Sequence, residues 1–588
     1  MCSIIGYRGK LDAAPLIVES LKRMEYRGYD SVGVATSNEG KILMRKGVGR
    51  VVEVNKLFNL GKLPGQIGIG HTRWATHGGV INSNAHPHSA CTNDIAVVHN
   101  GIIENYMELK EEITNLGHTF KSQTDSEVIA HLLEIYYLDS KDVKEAIIKT
   151  CKRLQGPYAF VAIFEDGVIG GARYDEPLII GILDDGYFIS SDVLGFLEHT
   201  DRAIFLDNQD IAIINGGELQ LFGFNGVPVK RPITQVAWEL GAADKGKYAH
   251  YTLKEIHEQT STIVQAGSQN IDRMQNFCDI ILNAKSVYIT GSGTSYNSAL
   301  IAKQIFAKFA KIRVETIMSS EFQYVHDLID NNSVLIAISQ SGESSDVLQS
   351  VKTAKQKGAK ILSVVNIQTS SLARISDSSL GVNCGPEIGV AATKSFTGQV
   401  SLIYHIADNL CNNCIGFVHK NKELISAIEF VLDNEYKIAE IADNMKDVRD
   451  IYLLGRSVHY PLALEGALKL KELAYVHAEG IAAGELKHGP LALVDLNTVV
   501  IVINPSDATF NDTISNAHEI KSRGAKVIGI SDSENHLYDQ FIKIPKVSEL
   551  LYPLVEVIPL QILAYFLALK KNADPDYPRN LAKSVTVK

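Results

Sequence analysis

The sequence predicts an α+β domain followed by two α/β domains, each built on a doubly wound parallel sheet. Three observations lead to this fold class. The first ~235 residues hold many short β-rich runs with few helical patterns between them, whereas strands alternate with helices in the remainder. That remainder also contains an internal duplication. At a prior of ~150 residues per domain, a chain of 588 residues has room for three domains.

The β-rich runs of the first region are short and are separated by turn residues. They lie at 68–70, 95–98, 159–164, 187–190 and 211–214, and a helical pattern covers 126–137. Clustered strands with few helices between them are typical of largely antiparallel sheets. The segment 241–246, of sequence GAADKG, indicates a linker after this region.

The second region repeats itself. A strand-and-turn pattern at 287–292 recurs at 451–456, and the segment 358–362 recurs at nearly the same offset, at 524–528. Two anchors at one offset indicate two copies of one α/β unit. Ligands are expected at the carboxyl ends of the strands in each copy.

The composition is that of an ordinary globular chain, with 45% hydrophobic residues, 21% charged residues and a net charge of -10. A negative charge without a basic cluster argues against a nucleic-acid partner. Seven cysteines in so long a chain do not suggest a disulfide framework, so we expect a cytoplasmic protein. We interpret the CxxC pair Cys411 and Cys414 as structural, and we expect no metal and no cofactor.

One segment, 550–569, is long and mostly apolar. It contains Pro553, Glu556, Pro559 and Gln561, which would be costly in lipid. We therefore predict a buried core helix or a subunit-interface helix rather than a membrane span. The sequence shows no targeting segment.

Residue 2 is a cysteine that directly follows Met1. Initiator removal is usual before a small side chain, and Cys2 would then carry both a thiol and a free α-amine. Because an α-amine titrates near pH ~8, part of it is unprotonated at neutral pH and can accept the thiol proton. The pattern favours a nucleophile with its own base; the alternative is an incidental cysteine that opens a buried strand.

Three polar clusters of the first region surround glycines, at 71–78, 84–88 and 99–101. The Asn100 side chain and the Gly101 amide are suited to stabilising an oxyanion. Arg73 is suited to binding a carboxylate through two hydrogen bonds, and Asp125 to binding an ammonium group. Together these groups would hold the two ends of an amino acid.

In the second region, two predicted strands end in hydroxyl-rich turns. The run 334–338 is followed by Ser339, Gln340, Ser341, Gly342, Glu343 and Ser344, and then by a helical pattern. Such a turn is a natural phosphate cradle, and it lacks the lysine of a nucleotide-binding loop. The turn at 291–296 has Tyr296 where a dinucleotide site needs glycine, so a phosphosugar fits better than NAD. Ordinary serine-rich helix caps remain the alternative.

Ionisable residues follow in otherwise apolar surroundings. Lys469 and Glu472 are three residues apart and share a helix face. A carboxylate can carry a proton between adjacent sugar carbons, and a histidine such as His488 can assist ring opening. A surface ion pair and a structural histidine are the alternatives.

These motifs resemble two known families. Cys2 and the segments 26–31, 71–78, 99–101 and 124–127 resemble the class II glutamine amidotransferase domain, which implies an N-terminal-nucleophile hydrolase fold. The segments 339–343, 485–490 and 578–587, with the duplication, resemble paired sugar-isomerase (SIS) domains. Their order over essentially the whole chain resembles the family that makes glucosamine 6-phosphate from fructose 6-phosphate and glutamine, the first step of amino-sugar biosynthesis.

The resemblance implies domain boundaries. They are a glutaminase domain at 1–239, a linker at 240–250, SIS domains at 251–430 and 431–575, and a tail at 576–588 that closes the sugar site. The substrates would be glutamine and fructose 6-phosphate, and the assembly a homodimer, with neither a nucleic acid nor a membrane as partner.

The resemblance also implies a role for each site residue. In the glutaminase domain, Cys2 would attack the glutamine amide, Asn100 and Gly101 would form the oxyanion hole, Arg73, Thr76, His77 and Asp125 would bind glutamine, and Trp74 would gate an ammonia channel. In the SIS domains, Thr294, Ser295, Ser339, Gln340, Ser341 and Ser344 would hold the sugar phosphate. Glu472, beside Lys469, would move a proton between C1 and C2, His488 of the neighbouring subunit would open the ring, and Lys583 would form an imine with the ketose.

Two departures from the family pattern affect substrate contacts. Ser292 stands where cysteine is common, and Ala392 where serine is frequent. Two other functions remain open at this point: a glutaminase serving another phosphosugar, such as a deglycating enzyme, and a phosphosugar-binding sensor. A sensor needs none of Cys2, Glu472, His488 and Lys583, so their presence favours an enzyme.

Overall fold

The computed structural model describes residues 2–236 and 245–584. The described residues form two compact units, the first within 1–241 and the second within 242–583. The predicted linker at 240–250 lies partly outside the described residues, and the predicted domain boundaries stay predictions.

The first unit contains fourteen named strands and five named helices among its described residues. The strands are β1 (Ser3–Arg8), β2 (Ser31–Asn38), β3 (Lys41–Val48), β4 (Ile67–Arg73), β5 (His88–Ser89), β6 (Ile95–Gly101), β7 (Tyr158–Phe164), β8 (Ile169–Tyr174), β9 (Ile179–Ile182), β10 (Tyr187–Ser190), β11 (Arg202–Phe205), β12 (Asp210–Asn215), β13 (Glu218–Gly223) and β14 (Thr234–Gln235). The helices are α1 (Ala13–Met24), α2 (Val51–Phe58), α3 (Tyr106–Asn115), α4 (Glu127–Ser140) and α5 (Val143–Arg153).

Two antiparallel sheets pack face to face in this unit. Their strand orders are β14-β11-β9-β10-β1-β4-β2-β3 and β13-β12-β8-β7-β6-β5. Ile4 and Ile69 from the first sheet meet Val98 and Val161 from the second in one apolar core. α4 and α5 cover the outer face of the six-stranded sheet, and α1 packs against β1 and β4. Because β7 is covered on both sides, all its residues are buried, which explains its continuous apolar run.

The second unit contains ten strands and twelve helices among the named elements of its described residues. The strands are β15 (Ser286–Gly291), β16 (Val314–Met318), β17 (Ser333–Ser339), β18 (Lys360–Val365), β19 (Ser378–Gly381), β20 (Asp450–Gly455), β21 (His477–Ala482), β22 (Val499–Ile503), β23 (Lys526–Ser531) and β24 (Gln540–Lys543). The helices are α6 (Tyr251–His257), α7 (Gln259–Ala266), α8 (Ile271–Leu282), α9 (Thr294–Ile305), α10 (Ser345–Gln356), α11 (Ser371–Ile375), α12 (Lys394–Leu410), α13 (Asn421–Asp433), α14 (Glu435–Asn444), α15 (His459–Ala474), α16 (Phe510–Lys521) and α17 (Tyr552–Lys570).

These strands form two parallel sheets of equal topology. Their orders are β16-β15-β17-β18-β19 and β21-β20-β22-β23-β24, so the first strand of each copy pairs with the second and the third. Adjacent residues of β17 bury opposite faces, since Leu335 and Ile336 belong to different apolar clusters. Burial on both faces is what doubly wound parallel sheets require. The predicted fold class, including the duplication, is confirmed.

α17 explains the long apolar segment. Among the described residues, Glu549–Lys570 is long and apolar enough to cross a membrane, and 89% of its most apolar window is buried inside the protein. It packs against α14 and α15 in the core that the two copies share. The prediction of a buried core helix is therefore confirmed.

One pair of cysteines forms a disulfide, although the cysteine count did not suggest a disulfide framework. Cys411 and Cys414 form a disulfide directly after α12, whereas Cys2, Cys91, Cys151, Cys278 and Cys384 are free. The count of seven cysteines argued against a framework of disulfides, but it does not address a single bridge between neighbours in one turn.

Candidate active site

The pairing of β1 with β4 places Cys2. Ser3 lies opposite Thr72, so the residue before β1 meets the residues that end β4. The backbone N–H of Trp74 donates to the Cys2 sulfur at 3.2 Å, and the thiol faces the Trp74 carbonyl at 3.5 Å. Burial raises the pKa of the Cys2 thiol, against the opposing effect of the Trp74 N–H. The thiol therefore needs a base to become a nucleophile at neutral pH.

Asn100 reaches the same place from the other sheet. Its Nδ2 donates to the Cys2 carbonyl at 3.1 Å. The Nε2 of His71 lies 2.9 Å from the His99 carbonyl and 3.2 Å from the Asn100 Oδ1. Both partners are acceptors, so Nε2 carries the proton, and burial lowers the pKa of His71 to about 3 and keeps the ring neutral. His71 thereby turns the amide of Asn100 so that its NH₂ group faces Cys2.

Gly101 follows Asn100 in a conformation that other residues rarely adopt. Its φ is +109°, and a Cβ at this position would lie 2.1 Å from the Pro157 carbonyl oxygen. A side chain would therefore displace the backbone beside the predicted oxyanion hole.

Arg73 holds the loop that contains two predicted glutamine ligands. Its guanidinium donates to the carbonyl of His77 at 2.5 Å and to the carbonyls of Gly78 and Gly79 at 3.2 Å. Thr76 is exposed on this loop, and the His77 ring contacts Tyr106 edge to face at 5.4 Å.

Asp125 lies just before α4 and is buried. One of its oxygens accepts the Ile103 N–H at 2.8 Å. Burial lowers the pKa of the Arg73 guanidinium, and the charges of Cys2 and Asp125 oppose that shift. Arg73, the predicted carboxylate-binding group, therefore lies close enough to interact electrostatically with both the predicted nucleophile Cys2 and the predicted ammonium-binding group Asp125.

A buried network beneath Cys2 was not anticipated from the sequence. Asp192 accepts Arg27 at 2.9 Å and the Tyr26 hydroxyl at 2.6 Å, and Arg27 also donates to the Cys2 carbonyl at 3.4 Å. Tyr26 and Arg27 lie in a motif that the sequence analysis used, but Asp192 carries no local signal because it comes from a distant loop.

In the second unit, two hydroxyl-rich turns lie side by side at the carboxyl ends of neighbouring strands. β15 and β17 are parallel neighbours, and the turns follow directly after them. The Ser339 hydroxyl accepts the Gly342 N–H at 2.9 Å, and the Ser341 hydroxyl accepts the Glu343 N–H at 3.2 Å. Ser344 occupies the N-cap position of α10, yet in the described part of the chain its side chain makes no capping bond. Helix capping therefore does not account for Ser344.

Thr294 and Ser295 are buried at the start of α9, and their hydroxyls have partners within the protein. Thr294 Oγ1 donates to Glu465 Oε1 at 3.0 Å, and Ser295 Oγ accepts from Gln399 at 3.0 Å. Their predicted role in phosphate binding stays a prediction.

Lys469 is a buried cation between two carboxylates of α15. Its Nζ lies 2.6 Å from Glu472 Oε2 and 3.3 Å from Glu465 Oε1, and it donates to the Ala392 carbonyl at 3.0 Å. Burial disfavours the charge, but Glu465 and Glu472 outweigh that effect and raise the pKa of Lys469. Glu465 was missed in the sequence, although its i,i+4 spacing to Lys469 is a usable signal.

Lys583 approaches the same loop from the chain end. Its Nζ lies 2.5 Å from Glu387 Oε2 and 2.7 Å from the Gly389 carbonyl. Ala392, which contacts Lys469, follows on this loop. The loop at 387–392 thus contacts both predicted amine-bearing residues.

His488 lies elsewhere on the unit. It ends the short 3-10 helix Ala483–His488 and is exposed. His488 is not among the described residues that contact Lys469 and Lys583 in the preceding paragraphs.

Known proteins are similar over the whole chain. The model of the glutamine amidotransferase domain matches residues 71–193, and that of the SIS domain matches 280–407 and 444–571. Proteins named glutamine–fructose-6-phosphate aminotransferase (isomerizing) from Pyrococcus horikoshii and Thermococcus kodakarensis are 45% and 44% identical to it, over 100% of both chains in each case. A solved C-terminal domain of glucosamine-fructose-6-phosphate aminotransferase from Francisella tularensis is 32% identical, covers 57% of this chain and 99% of its own, and has a TM-score of 0.54.

Proposed function

Because the chain belongs to the glutamine–fructose-6-phosphate aminotransferase (isomerizing) family, which converts fructose 6-phosphate and glutamine to glucosamine 6-phosphate and glutamate, we propose how its residues divide this reaction. The reaction is the first step of amino-sugar biosynthesis. The assignment rests on two observations above all: the amide of Asn100 donates to Cys2 in the first unit, and Lys469 pairs with Glu472 in the second.

The first unit releases ammonia from glutamine. Once Met1 is removed, the α-amine of Cys2 takes the thiol proton, and the thiolate attacks the amide carbon. Asn100 Nδ2 and the Gly101 N–H stabilise the oxyanion. The C–N bond breaks as the leaving NH₂ group takes the proton from the Cys2 α-ammonium and departs as ammonia, and water then hydrolyses the thioester to glutamate and restores the thiol.

Glutamine is held by its two ends. Asp125 binds the substrate ammonium, while Arg73, with Thr76 and His77 on the loop it organises, binds the carboxylate. The electrostatic proximity of Arg73 and Asp125 to Cys2 supports this assignment.

The second unit uses the ammonia. His488 opens the sugar ring, and the Lys583 amine condenses with the C2 carbonyl and releases water. Ammonia then displaces the lysine at C2. Glu472 removes a proton from C1 and returns it at C2, which converts the ketose form to the aldose. Glu387 lies 2.5 Å from Lys583 and can take the proton that this amine must lose before it attacks.

The sugar phosphate is held at the edge where β15 and β17 end. The groups proposed to bind it are Thr294, Ser295, Ser339, Gln340, Ser341 and Ser344. Hydroxyls and backbone N–H groups at the start of α10 supply hydrogen bonds and a favourable helix dipole for the phosphate.

Ammonia is mostly protonated in neutral water, and the ammonium ion is not nucleophilic, so a water-excluding passage between glutaminase and sugar site is expected. We assign the gate to Trp74. Its backbone N–H and carbonyl both contact the Cys2 thiol, and this proximity to the nucleophile supports the assignment.

We further propose that the enzyme is a cytoplasmic homodimer. His488 is exposed in its own chain, and Leu493 and Leu496 nearby in sequence are 58% and 79% exposed. Apolar side chains exposed beside a catalytic histidine fit a surface that a second copy covers, with His488 completing the partner's sugar site.

The serine turn can be tested by replacing Ser341 and Ser344 with alanine. At ~1 kcal/mol per hydrogen bond, the KM for fructose 6-phosphate should rise about fivefold for each serine and about thirtyfold for the pair. Glutamine hydrolysis without sugar should be unchanged, and Ser515→Ala, at an exposed serine of α16, serves as the control. An unaltered sugar KM in the double variant would mean that these serines only shape the turn.

Sharing of one sugar site between two chains can be tested with hybrid dimers. His488→Ala and Glu472→Gln enzymes should each be inactive, yet mixing them should restore activity because each hybrid contains one complete site. Random exchange at equal amounts predicts about a quarter of the wild-type specific activity. The control is His488→Ala mixed with a differently tagged copy of itself. If tag co-purification proves exchange and activity stays absent, His488 acts within its own chain.

A further inference from the structure

Four side chains with metal-ligand chemistry converge in the first unit, apart from Cys2. They are Cys91, His118, His131 and Glu134, and one ligand atom from each lies within 4.8 Å of all the others. Cys91 follows β5, His118 lies in the loop after α3, and His131 and Glu134 share one face of α4.

Four of the six distances between these atoms are close to those of a tetrahedral ligand shell. The Nδ1 atoms of His118 and His131 are 3.2 Å apart, and the Cys91 sulfur lies 3.6 Å and 3.8 Å from them. Glu134 Oε2 lies 3.1 Å from His118 Nδ1. A tetrahedral Zn²⁺ with Zn–N of about 2.0–2.1 Å and Zn–S of about 2.3 Å places two nitrogens about 3.3 Å apart, and sulfur and nitrogen about 3.5 Å apart.

Surrounding hydrogen bonds orient the ligand atoms. Glu134 Oε1 accepts the N–H and the hydroxyl of Thr92 at 2.7 Å and 2.6 Å, and Oε2, which also accepts the Cys91 N–H at 3.3 Å, faces the cluster. The Thr119 N–H donates to the Cys91 sulfur at 3.4 Å, an interaction that favours a thiolate. Glu127 Oε1 lies 3.7 Å from the outer nitrogen of His131, a distance too long for a hydrogen bond.

Hydrogen bonding within the cluster does not explain this convergence. His118 Nδ1 faces a sulfur, a nitrogen and a carboxylate oxygen, yet one ring nitrogen has either one proton or one lone pair. It can therefore satisfy one of the three neighbours. A shared cation satisfies all four ligand atoms together.

We propose that Cys91, His118, His131 and Glu134 bind one divalent transition-metal ion, with Zn²⁺ as the preferred ion. Mixed sulfur and imidazole ligands in a tetrahedral arrangement suit zinc, and four protein ligands make a structural site. On binding, Cys91 loses its thiol proton to solvent. The metal would tie two loops to α4, the helix that begins two residues after Asp125.

The expectation of no metal rested on the Cys411–Cys414 pair, and the four cluster residues match no common zinc spacing. Only His131 and Glu134 are close in sequence, as an i,i+3 pair, and Cys91 and His118 come from separate loops.

Metal analysis of the full-length enzyme tests the site. Enzyme produced with zinc in the medium and dialysed should retain about one Zn²⁺ per chain by elemental analysis. Cys91→Ser with His118→Ala should abolish retention, while Cys151→Ala, at a free cysteine outside the cluster, should keep it. Since outer partners of metal ligands contribute ~10–100-fold in affinity, loss of two ligands should weaken binding by more than ~100-fold in a chelator competition.

Two further measurements keep the test decisive. Cobalt-loaded enzyme should show a thiolate-to-cobalt absorption band that Cys91→Ser removes. Glu134→Gln is a milder change that should weaken zinc binding even if the double variant misfolds. Absence of zinc in the wild-type enzyme with no cobalt–thiolate band, or equal zinc in wild type and ligand variants, would overturn the proposal. Because zinc content and the cobalt spectrum are measured on the protein without any assay of activity, these outcomes do not depend on the proposed reaction.

Discussion

Cys2→Ala enzyme should stop using glutamine and still make glucosamine 6-phosphate from fructose 6-phosphate and ammonium salt. The substitution removes the only atom proposed to attack the amide, and the alanine methyl group fits where the partly buried thiol lay. We expect glutamate release to fall by ~10⁴-fold or more, as for other lost nucleophiles. The measurement is glutamate and amino-sugar formation with each nitrogen donor in parallel.

The control is Cys151→Ala, which replaces a buried cysteine of the same unit outside the site and should keep glutamine use. Retained glutamine use in Cys2→Ala would assign the nucleophile to another residue. Intact-mass analysis addresses the base: an active enzyme that retains Met1 would contradict the role of the Cys2 α-amine, because that nitrogen would be in a peptide bond.

Glu472→Gln should abolish synthesis while leaving sugar binding intact. The amide matches the carboxylate in shape and can still accept a hydrogen bond from Lys469. Lys469 also retains Glu465 as an ion-pair partner at 3.3 Å. It cannot accept the C1 proton, so we expect a loss of ~10²–10⁴-fold in the rate of synthesis. The measurement is amino-sugar formation beside the Kd for fructose 6-phosphate.

Borohydride trapping separates this proton transfer from imine formation. Glu472→Gln enzyme with fructose 6-phosphate should still give a reduced adduct at Lys583, whereas Lys583→Arg should keep the positive charge and give no adduct. Wild-type rates in Glu472→Gln would remove the proton-transfer role from this carboxylate. An adduct at a different lysine would reassign the imine.

Much of the fold was predictable from local patterns. The continuous apolar run that forms β17, followed by a helical pattern, indicated a parallel sheet, because strands buried on both faces read as uninterrupted apolar sequence. The repeat revealed two copies of one unit, and both copies have the same strand order. The long segment that became α17 was recognised as a core helix from the prolines and polar residues within it.

The candidate site was predictable where a residue type has a distinctive chemistry at a distinctive place. Cys2 behind the initiator, Asn100 beside Gly101 and the serine turn after β17 are of this kind. Their assignment also drew on family resemblance, which supplied roles for Lys583 and His488 that neither composition nor periodicity indicates.

By itself, then, the sequence determined the fold class and the repeat, and it predicted the residues of the candidate site. Only the tertiary structure decided which groups contact them: His71 contacts Asn100, the Asp192 network lies beneath Cys2, and Glu465 pairs with Lys469. The tertiary structure alone also brought together the four side chains of the cluster around His131. The physical reason is that periodicity reports each segment's buried face, whereas these contacts join segments far apart in the chain. The residues in these contacts come together only when the sheets pack and the strand registers are set. A local sequence pattern therefore does not predict them.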